Sequence, residues 1–305
     1  MGPGRRVRFV KQRCALVVAL LAAVVGLTAC EADNPARDAR AWVVEKGDKY
    51  VALGDSYTAA PQTGDNADRS GCQNTRVNYP HRVAEAIGLE LLDNSCNGAS
   101  TGSLTNAQQI PSIVPGQRRE NPPQLDAIDD DTDLVTMRLG ANDYGLFARI
   151  IQCARNFEGE SGSPCSDLDA SGDNSLDNRL PDVRANLDAA LAEIEERAPD
   201  ATVVVLGYPH VAPDEGTCDL LPVPDDDYDY VRRIIEGLNT ALEGAAEEAG
   251  VTYIDMYAVS EGHDICGEQP WVAGAPIRPN GATAWHPYAA ESQAAAELIL
   301  EALES

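Results

Sequence analysis

The stretch Tyr50-Val51-Ala52-Leu53-Gly54-Asp55-Ser56-Tyr57-Thr58 governs the reading of the chain. Four apolar residues run without interruption into a glycine and a polar turn. A short, unbroken apolar run is what a strand buried on both faces requires, since neither face meets water. Gly54 permits a tight turn at the strand's end. Ser56 then falls at the carboxyl edge of a sheet, at the start of a helix whose backbone N–H groups can face an anion. Four more runs repeat the pattern: Leu89–Leu92, Leu134–Leu139, Thr202–Leu206 and Val251–Ile254. Amphipathic stretches separate them. In Val183–Glu196 the residues Val183, Leu187, Leu191 and Ile194 recur at helical spacing, Tyr230–Ala249 is similar, and Pro287–Leu303 opens with proline in its first turn. Strand and helix in alternation predict an α/β domain with a central, mostly parallel five-stranded sheet covered on both faces. Two segments rich in Gly, Ser, Pro and Asp, Ile151–Leu180 and Gly207–Asp227, predict long loops near the strand ends, where such sheets place ligands.

Upstream of the first strand the chain reads as a processing segment. Arg5, Arg6, Arg8, Lys11 and Arg13 precede an apolar run from Cys14 to Thr28 that is short for a membrane span. Leu27-Thr28-Ala29-Cys30 resembles a bacterial lipobox, which implies a signal peptide over residues 1–29, cleavage before Cys30 and acylation of its thiol. Residues 30–46 then read as a flexible tether and 47–305 as one domain. Removing five basic residues and no acidic ones would take the net charge from −26 to −31. Such a surface repels phosphates and anionic head groups, which disfavours a nucleic-acid partner. Export places Cys72, Cys96, Cys153, Cys165, Cys218 and Cys266 in an oxidising compartment. With no CxxC pair and no histidine cluster, three disulfides are expected rather than a metal site, with the pairing open among 15 possibilities.

Three short blocks carry candidate chemistry. Beside Gly54-Asp55-Ser56, Gly140-Ala141-Asn142-Asp143 ends the third apolar run, where the Asn142 amide can donate to a developing oxyanion or cap a helix beginning near Tyr144. Trp285-His286-Pro287 stands just ahead of the last helix, where His286 can serve as a general base. The other histidines are His81, within a helical stretch, and His210 and His263, both rim candidates.

In order and context these blocks resemble those of the SGNH (GDSL-type) hydrolases, and Asn97-Gly98-Ala99-Ser100 matches a further block. The resemblance implies a three-layer, flavodoxin-like α/β/α fold and a serine esterase or lipase without metal or cofactor. It implies Ser56 as nucleophile, His286 as base, and an oxyanion hole of the Ser56 and Gly98 backbone N–H groups with the Asn142 side chain. The chain also resembles a branch of secreted actinobacterial esterases and lipases with sequential disulfides, which implies the pairs Cys72–Cys96, Cys153–Cys165 and Cys218–Cys266. Where many members carry an aspartate three residues before the histidine, this chain has Thr283. The resemblance therefore implies that the Thr283 backbone carbonyl orients His286, with Asp264 as a substitute. The expected partners are an ester substrate, lipid or acylated glycan, and a membrane surface through the Cys30 anchor, with the protein acting as a monomer.

Three rival readings compete with this one. Gly98-Ala99-Ser100-Thr101-Gly102 has the spacing of a nucleophile elbow, yet only two strands fit ahead of Ser100, fewer than that fold places there. Asp167 to Asp173 resembles a calcium loop but has Asn178 where a bidentate glutamate belongs, so a solvated acidic loop is expected. The runs Asp129–Asp133 and Asp225–Asp227 are likewise read as solvated faces. A lipoprotein that binds a lipid or cell-wall ligand without turnover is the non-catalytic alternative.

Overall fold

The computed structural model describes residues 44–67, 71–111, 118–275 and 281–304. The expected signal segment, Cys30 and most of the tether lie outside the described residues. Five strands form the central sheet: β1 (Lys49–Gly54), β2 (Glu90–Asp93), β5 (Leu134–Arg138), β6 (Thr202–Leu206) and β7 (Thr252–Ile254). Their order is β2-β1-β5-β6-β7, and every pairing is parallel. Each expected apolar run is thus a strand, displaced by at most a residue or two.

Alternation within β1 shows why the run is continuous. Val51 and Leu53 face one core with Val183, Leu187 and Ile194 of α5 (Leu176–Arg197) and Ile234 and Leu238 of α6 (Tyr228–Ala249). Tyr50 and Ala52 face a second core with Val83 of α2 (Tyr79–Ile87) and Ile299 of α8 (Ala289–Glu304). Period-two alternation sends neighbouring side chains to opposite faces, so burial of both faces demands apolar residues throughout.

Several expectations are corrected. Ile151–Leu180 is mostly helical: α3 (Leu146–Asn156), α4 (Pro164–Ala170) and the start of α5 occupy it. Its glycines and all its serines but Ser166 lie outside the helices, Pro164 opens α4, and Pro181 lies inside α5 at the cost of one backbone hydrogen bond. The acidic stretch near Asp167 therefore lies largely in α4, where Asp169 pairs with Arg149 and accepts from the Leu176 N–H at 2.9 Å. Asp227 is no solvated residue. It is fully buried and accepts from the N–H groups of Cys165 (3.0 Å) and Ser166 (2.9 Å), satisfying the first turn of α4. Pro287 precedes α8 by two residues rather than opening it. An antiparallel ribbon of β3 (Gln108–Pro111) and β4 (Arg118–Asn121) was not anticipated, because its polar residues carry no alternating apolar signal. The disulfides join Cys72 to Cys96, Cys153 to Cys165 and Cys218 to Cys266.

A buried ion pair crosses the second core. Arg138, the last residue of β5, donates through Nη1 to Glu291 Oε1 at 2.7 Å and to the Tyr57 carbonyl at 3.3 Å, with both charged side chains fully buried. Burial pushes the Glu291 carboxyl up while the guanidinium opposes that shift. Removing one partner strands a charge, so Arg138→Met or Glu291→Leu alone is expected to cost about 3–5 kcal/mol in urea unfolding. The double variant, with no charge left to strand, is expected to recover most of that loss.

Candidate active site

The three blocks meet at the carboxyl edge of the sheet. Beyond β1, Asp55 caps α1 (Ser56–Ala59) by accepting from the Tyr57 N–H at 2.8 Å, and Ser56 opens that short helix. Gln124, fully buried, accepts from the Gly54 N–H and donates to the Gly54 carbonyl, both at 2.9 Å. It completes the strand's last polar groups from the side and fixes where the serine turn begins.

Gly98 and Gly140 both adopt left-handed conformations, with φ of +78° and +119°, which side chains with a Cβ rarely enter. The two turns they make are bonded to each other. Asn142 Nδ2 donates to the Ala99 carbonyl at 2.8 Å, and the Thr101 N–H donates to Asp143 Oδ1 at 2.8 Å. A primary amide has two N–H bonds, so one remains for a ligand once Ala99 has taken the other. No side-chain cap hydrogen bond is made by Asn142, although it occupies the cap position of the turn at Asp143–Gly145. Asn97, just ahead of Gly98, accepts through its backbone carbonyl from the Gln108 amide at 2.9 Å and donates to the Cys72 carbonyl at 3.0 Å.

His286 arrives on a strained segment. Trp285, buried, has φ of +69°, a left-handed conformation held by two bonds. Its N–H donates to the Ala273 carbonyl at 2.8 Å and its carbonyl accepts from the Tyr57 hydroxyl at 3.0 Å. The Thr283 N–H donates to the Pro61 carbonyl at 3.2 Å. The histidine loop is therefore bound at two points to the segment that follows Ser56, and the His286 ring lies near-parallel to that of Tyr57 with centroids 6.2 Å apart. Burial pushes the imidazole below its ordinary value.

The carbonyl facing the imidazole differs from the expected one. His286 Nδ1 lies 2.8 Å from the Ala284 carbonyl oxygen, whereas the Thr283 carbonyl accepts from the His286 backbone N–H at 3.1 Å. In the turn from Thr283 to His286 the first carbonyl meets the backbone N–H and the next faces the ring. Asp264 accepts from the Cys266 N–H at 2.8 Å within its own turn, and Asp255 caps α7 (Met256–Val259). The other histidines are occupied elsewhere. His81 Nδ1 bonds Asn78, His263 stacks on Trp271, and His210 is buried beside Tyr257 and a fully buried Ser260. Ser100 caps a 3-10 turn at Thr101–Leu104, seven residues past β2, and bonds reciprocally with Ser103.

Residues 52–290 match the model of the GDSL-like lipase/acylhydrolase family. The chain belongs to this family. It is 40% identical over 229 residues to Lipase 2 of Streptomyces coelicolor, covering 71% of this chain and 72% of that relative. Phospholipase A1 from Streptomyces albidoflavus NA297 has a similar structure, with a TM-score of 0.68, 25% identity, and coverage of 84% of this chain and 99% of that one. The extracellular lipase of Streptomyces rimosus is alike, with a TM-score of 0.68, 26% identity, and coverage of 84% and 100%. The chain is accordingly a carboxylic ester hydrolase, and its sheet is that of the family's α/β fold.

Within this GDSL-type frame, sequence reasoning did not single out Tyr57, Gln124, Arg138, Tyr208, Ala284 or Trp285. Tyr57 and Trp285 carried a local signal, through their places beside Ser56 and His286. Asp55 is fully buried, and burial pushes its carboxyl from the ordinary 3.8 up to about 6, against the lowering hydrogen bonds from Tyr208 and Tyr57. Between those values the folded state holds a proton that the unfolded chain releases. Asp55 thus contributes most stability below about pH 4, and that contribution is lost as pH rises through about 6. Relative to wild type, Asp55→Asn is therefore expected to gain stability between about pH 4 and pH 8, by at most about 3 kcal/mol. Urea unfolding of both proteins at the two pH values measures it; a difference independent of pH removes this assignment.

Proposed function

We propose that the chain hydrolyses acyl esters through a Ser56 acyl-enzyme, with His286 as general base and acid. The supporting observation is the double attachment of the histidine loop to the serine segment, Tyr57 hydroxyl to Trp285 carbonyl and Thr283 N–H to Pro61 carbonyl. With Nδ1–H donating to the Ala284 carbonyl, the neutral ring keeps Nε2 as the acceptor. Nε2 takes the Ser56 hydroxyl proton as Oγ attacks the ester carbonyl carbon. The carbonyl oxygen becomes an oxyanion, held by the Ser56 and Gly98 backbone N–H groups and the free N–H of Asn142. As it collapses, the C–O bond to the alcohol breaks and the imidazolium returns its proton to the leaving oxygen. Water then repeats the sequence and frees the acid. A carbonyl partner fixes the tautomer of His286 but stabilises the imidazolium less than a carboxylate would.

For substrate, the relatives described as lipases and as a phospholipase A1 favour lipid esters over acylated glycans. A net charge of −26 favours uncharged or zwitterionic lipids over anionic ones. No helix among the described residues is long and apolar enough to cross a membrane. The reading of residues 1–29 as a signal, of 30–46 as a tether and of Cys30 as a lipidated anchor agrees with the extracellular description of the Streptomyces rimosus enzyme as to export, and adds the anchor.

Ser56→Ala is expected to abolish hydrolysis of a chromogenic short-chain ester while Ser100→Ala retains it; the reverse outcome reassigns the nucleophile. Asn142→Ala is expected to lower kcat by about a hundred- to a thousand-fold with an unchanged Tm. Lost stability with normal turnover would reduce Asn142 to a tie for Ala99. Cys30→Ser is expected to move the protein from the membrane fraction to the medium, and an unchanged distribution would dispose of the lipid anchor.

A further inference from the structure

Tyr208 stands two residues past β6, in a segment that supplies no nucleophile, base or expected oxyanion donor. It is fully buried, and its backbone is clamped from α6. Its N–H donates to Asn239 Oδ1 at 2.7 Å, and its carbonyl accepts from Asn239 Nδ2 at 2.9 Å. Its ring meets that of Tyr57 edge-on, with centroids 5.2 Å apart and planes at 74°. Backbone and ring are thus both held, which leaves the hydroxyl little freedom.

That hydroxyl lies between the two site turns. It donates to Asp55 Oδ2 at 2.7 Å and accepts from the Ala141 N–H at 3.3 Å. The other oxygen of Asp55 accepts from the Tyr57 N–H at 2.8 Å. One chain of hydrogen bonds therefore runs from the residue before Asn142 to the residue after Ser56. Between these turns the β1–β5 ladder is already ending. Gly54 is registered with Arg138, and the Asp55 N–H donates to the Arg138 carbonyl at 3.1 Å. Beyond that bond Tyr208 links the two turns from a third strand end.

We propose that Tyr208 is a positioning residue that fixes the spacing of the Ser56 and Asn142 turns and so aims the Asn142 amide at the oxyanion. The assignment rests on the roles of Ser56 and Asn142 given above. A phenol suits the place because one oxygen must donate to a carboxylate and accept from an amide at once. Phenylalanine fills the same volume and does neither. Displacing a reacting group by about 1 Å can cost a hundred-fold in rate, so small slack between the turns is sufficient to matter.

Tyr208→Phe is expected to lower kcat on a chromogenic short-chain ester by about 10- to 100-fold, with KM within about two-fold of wild type. In an Asn142→Ala background the same change is expected to cost less than about three-fold, because the donor it positions is gone. Losses that multiply, or a lowered Tm with unchanged kcat, overturn the proposal. Ser56→Ala is measured alongside. If that variant still hydrolyses the ester, the reading of the site itself fails; if it is inactive and the losses multiply, only the Tyr208 assignment falls. Should Tyr208→Phe not fold, Asn239→Ala, which frees the Tyr208 backbone and retains its hydroxyl, enters the same cycle with the same expected and overturning outcomes.

Discussion

The buried pair of Arg138 and Glu291 is the constraint on which the placement of the site depends. Arg138 ends β5, the middle strand, and Glu291 lies in the first turn of α8, five residues after His286. Their 2.7 Å contact holds the C-terminal helix against the sheet, and the 3.3 Å bond from Arg138 to the Tyr57 carbonyl brings the serine helix into the same arrangement. A hydrophobic contact could supply comparable stability but would permit sliding along α8. A buried charge tolerates little displacement from its partner, so the pair favours one register of α8 on the sheet. Register matters here, because the residues just ahead of α8 include the candidate base.

From that anchor the site is assembled mostly out of irregular backbone. Ser56 opens the one-turn helix α1 past β1, and Gly98, Asn142 and His286 lie past the ends of strands or before the start of a helix, where no strand ladder holds them. Side chains take over: Gln124 on Gly54, Asn142 on Ala99, Asp143 on Thr101, and Tyr57 on Trp285. Cys72–Cys96 adds a covalent tie directly ahead of the Gly98 turn. The left-handed Trp285 and the buried Asp55 are costs carried at the site, and the surrounding bonds hold both in place.

What could be read from the sequence follows from how each part is stabilised. The strands were legible because burial on both faces writes an unbroken apolar run, and α5 and α6 because their buried residues recur at helical spacing. The ribbon of Gln108–Pro111 and Arg118–Asn121 wrote no such pattern, since its strands pair with each other and are joined to the rest of the domain by contacts such as buried Ile110 and the Gln108 amide on the Asn97 carbonyl. Asp227 was misread because composition reports a run of acids as solvated, whereas the N–H groups it satisfies lie some sixty residues earlier in the chain. The candidate nucleophile, base and oxyanion residues proposed above stand out in short blocks. Their supports were not, because Gln124, Tyr208 and Glu291 act at separations of 70, 153 and 153 residues from their partners.

The one-residue displacement from Thr283 to Ala284 shows where block reading ends. A family pattern gives the offset at which a carboxylate would sit, and a carboxylate reaches its target through a side chain. A carbonyl has no such reach, so its position is decided by backbone torsions alone. Here the Thr283 oxygen closes the turn on the His286 N–H, and past the left-handed Trp285 the ring nitrogen Nδ1 meets the Ala284 carbonyl instead. Under the proposed mechanism no carboxylate shares the imidazolium charge, so more of the transition-state burden falls on the oxyanion side. The precision of Asn142, and of the bonds that locate it, would then weigh more heavily than in an enzyme with an acidic third member.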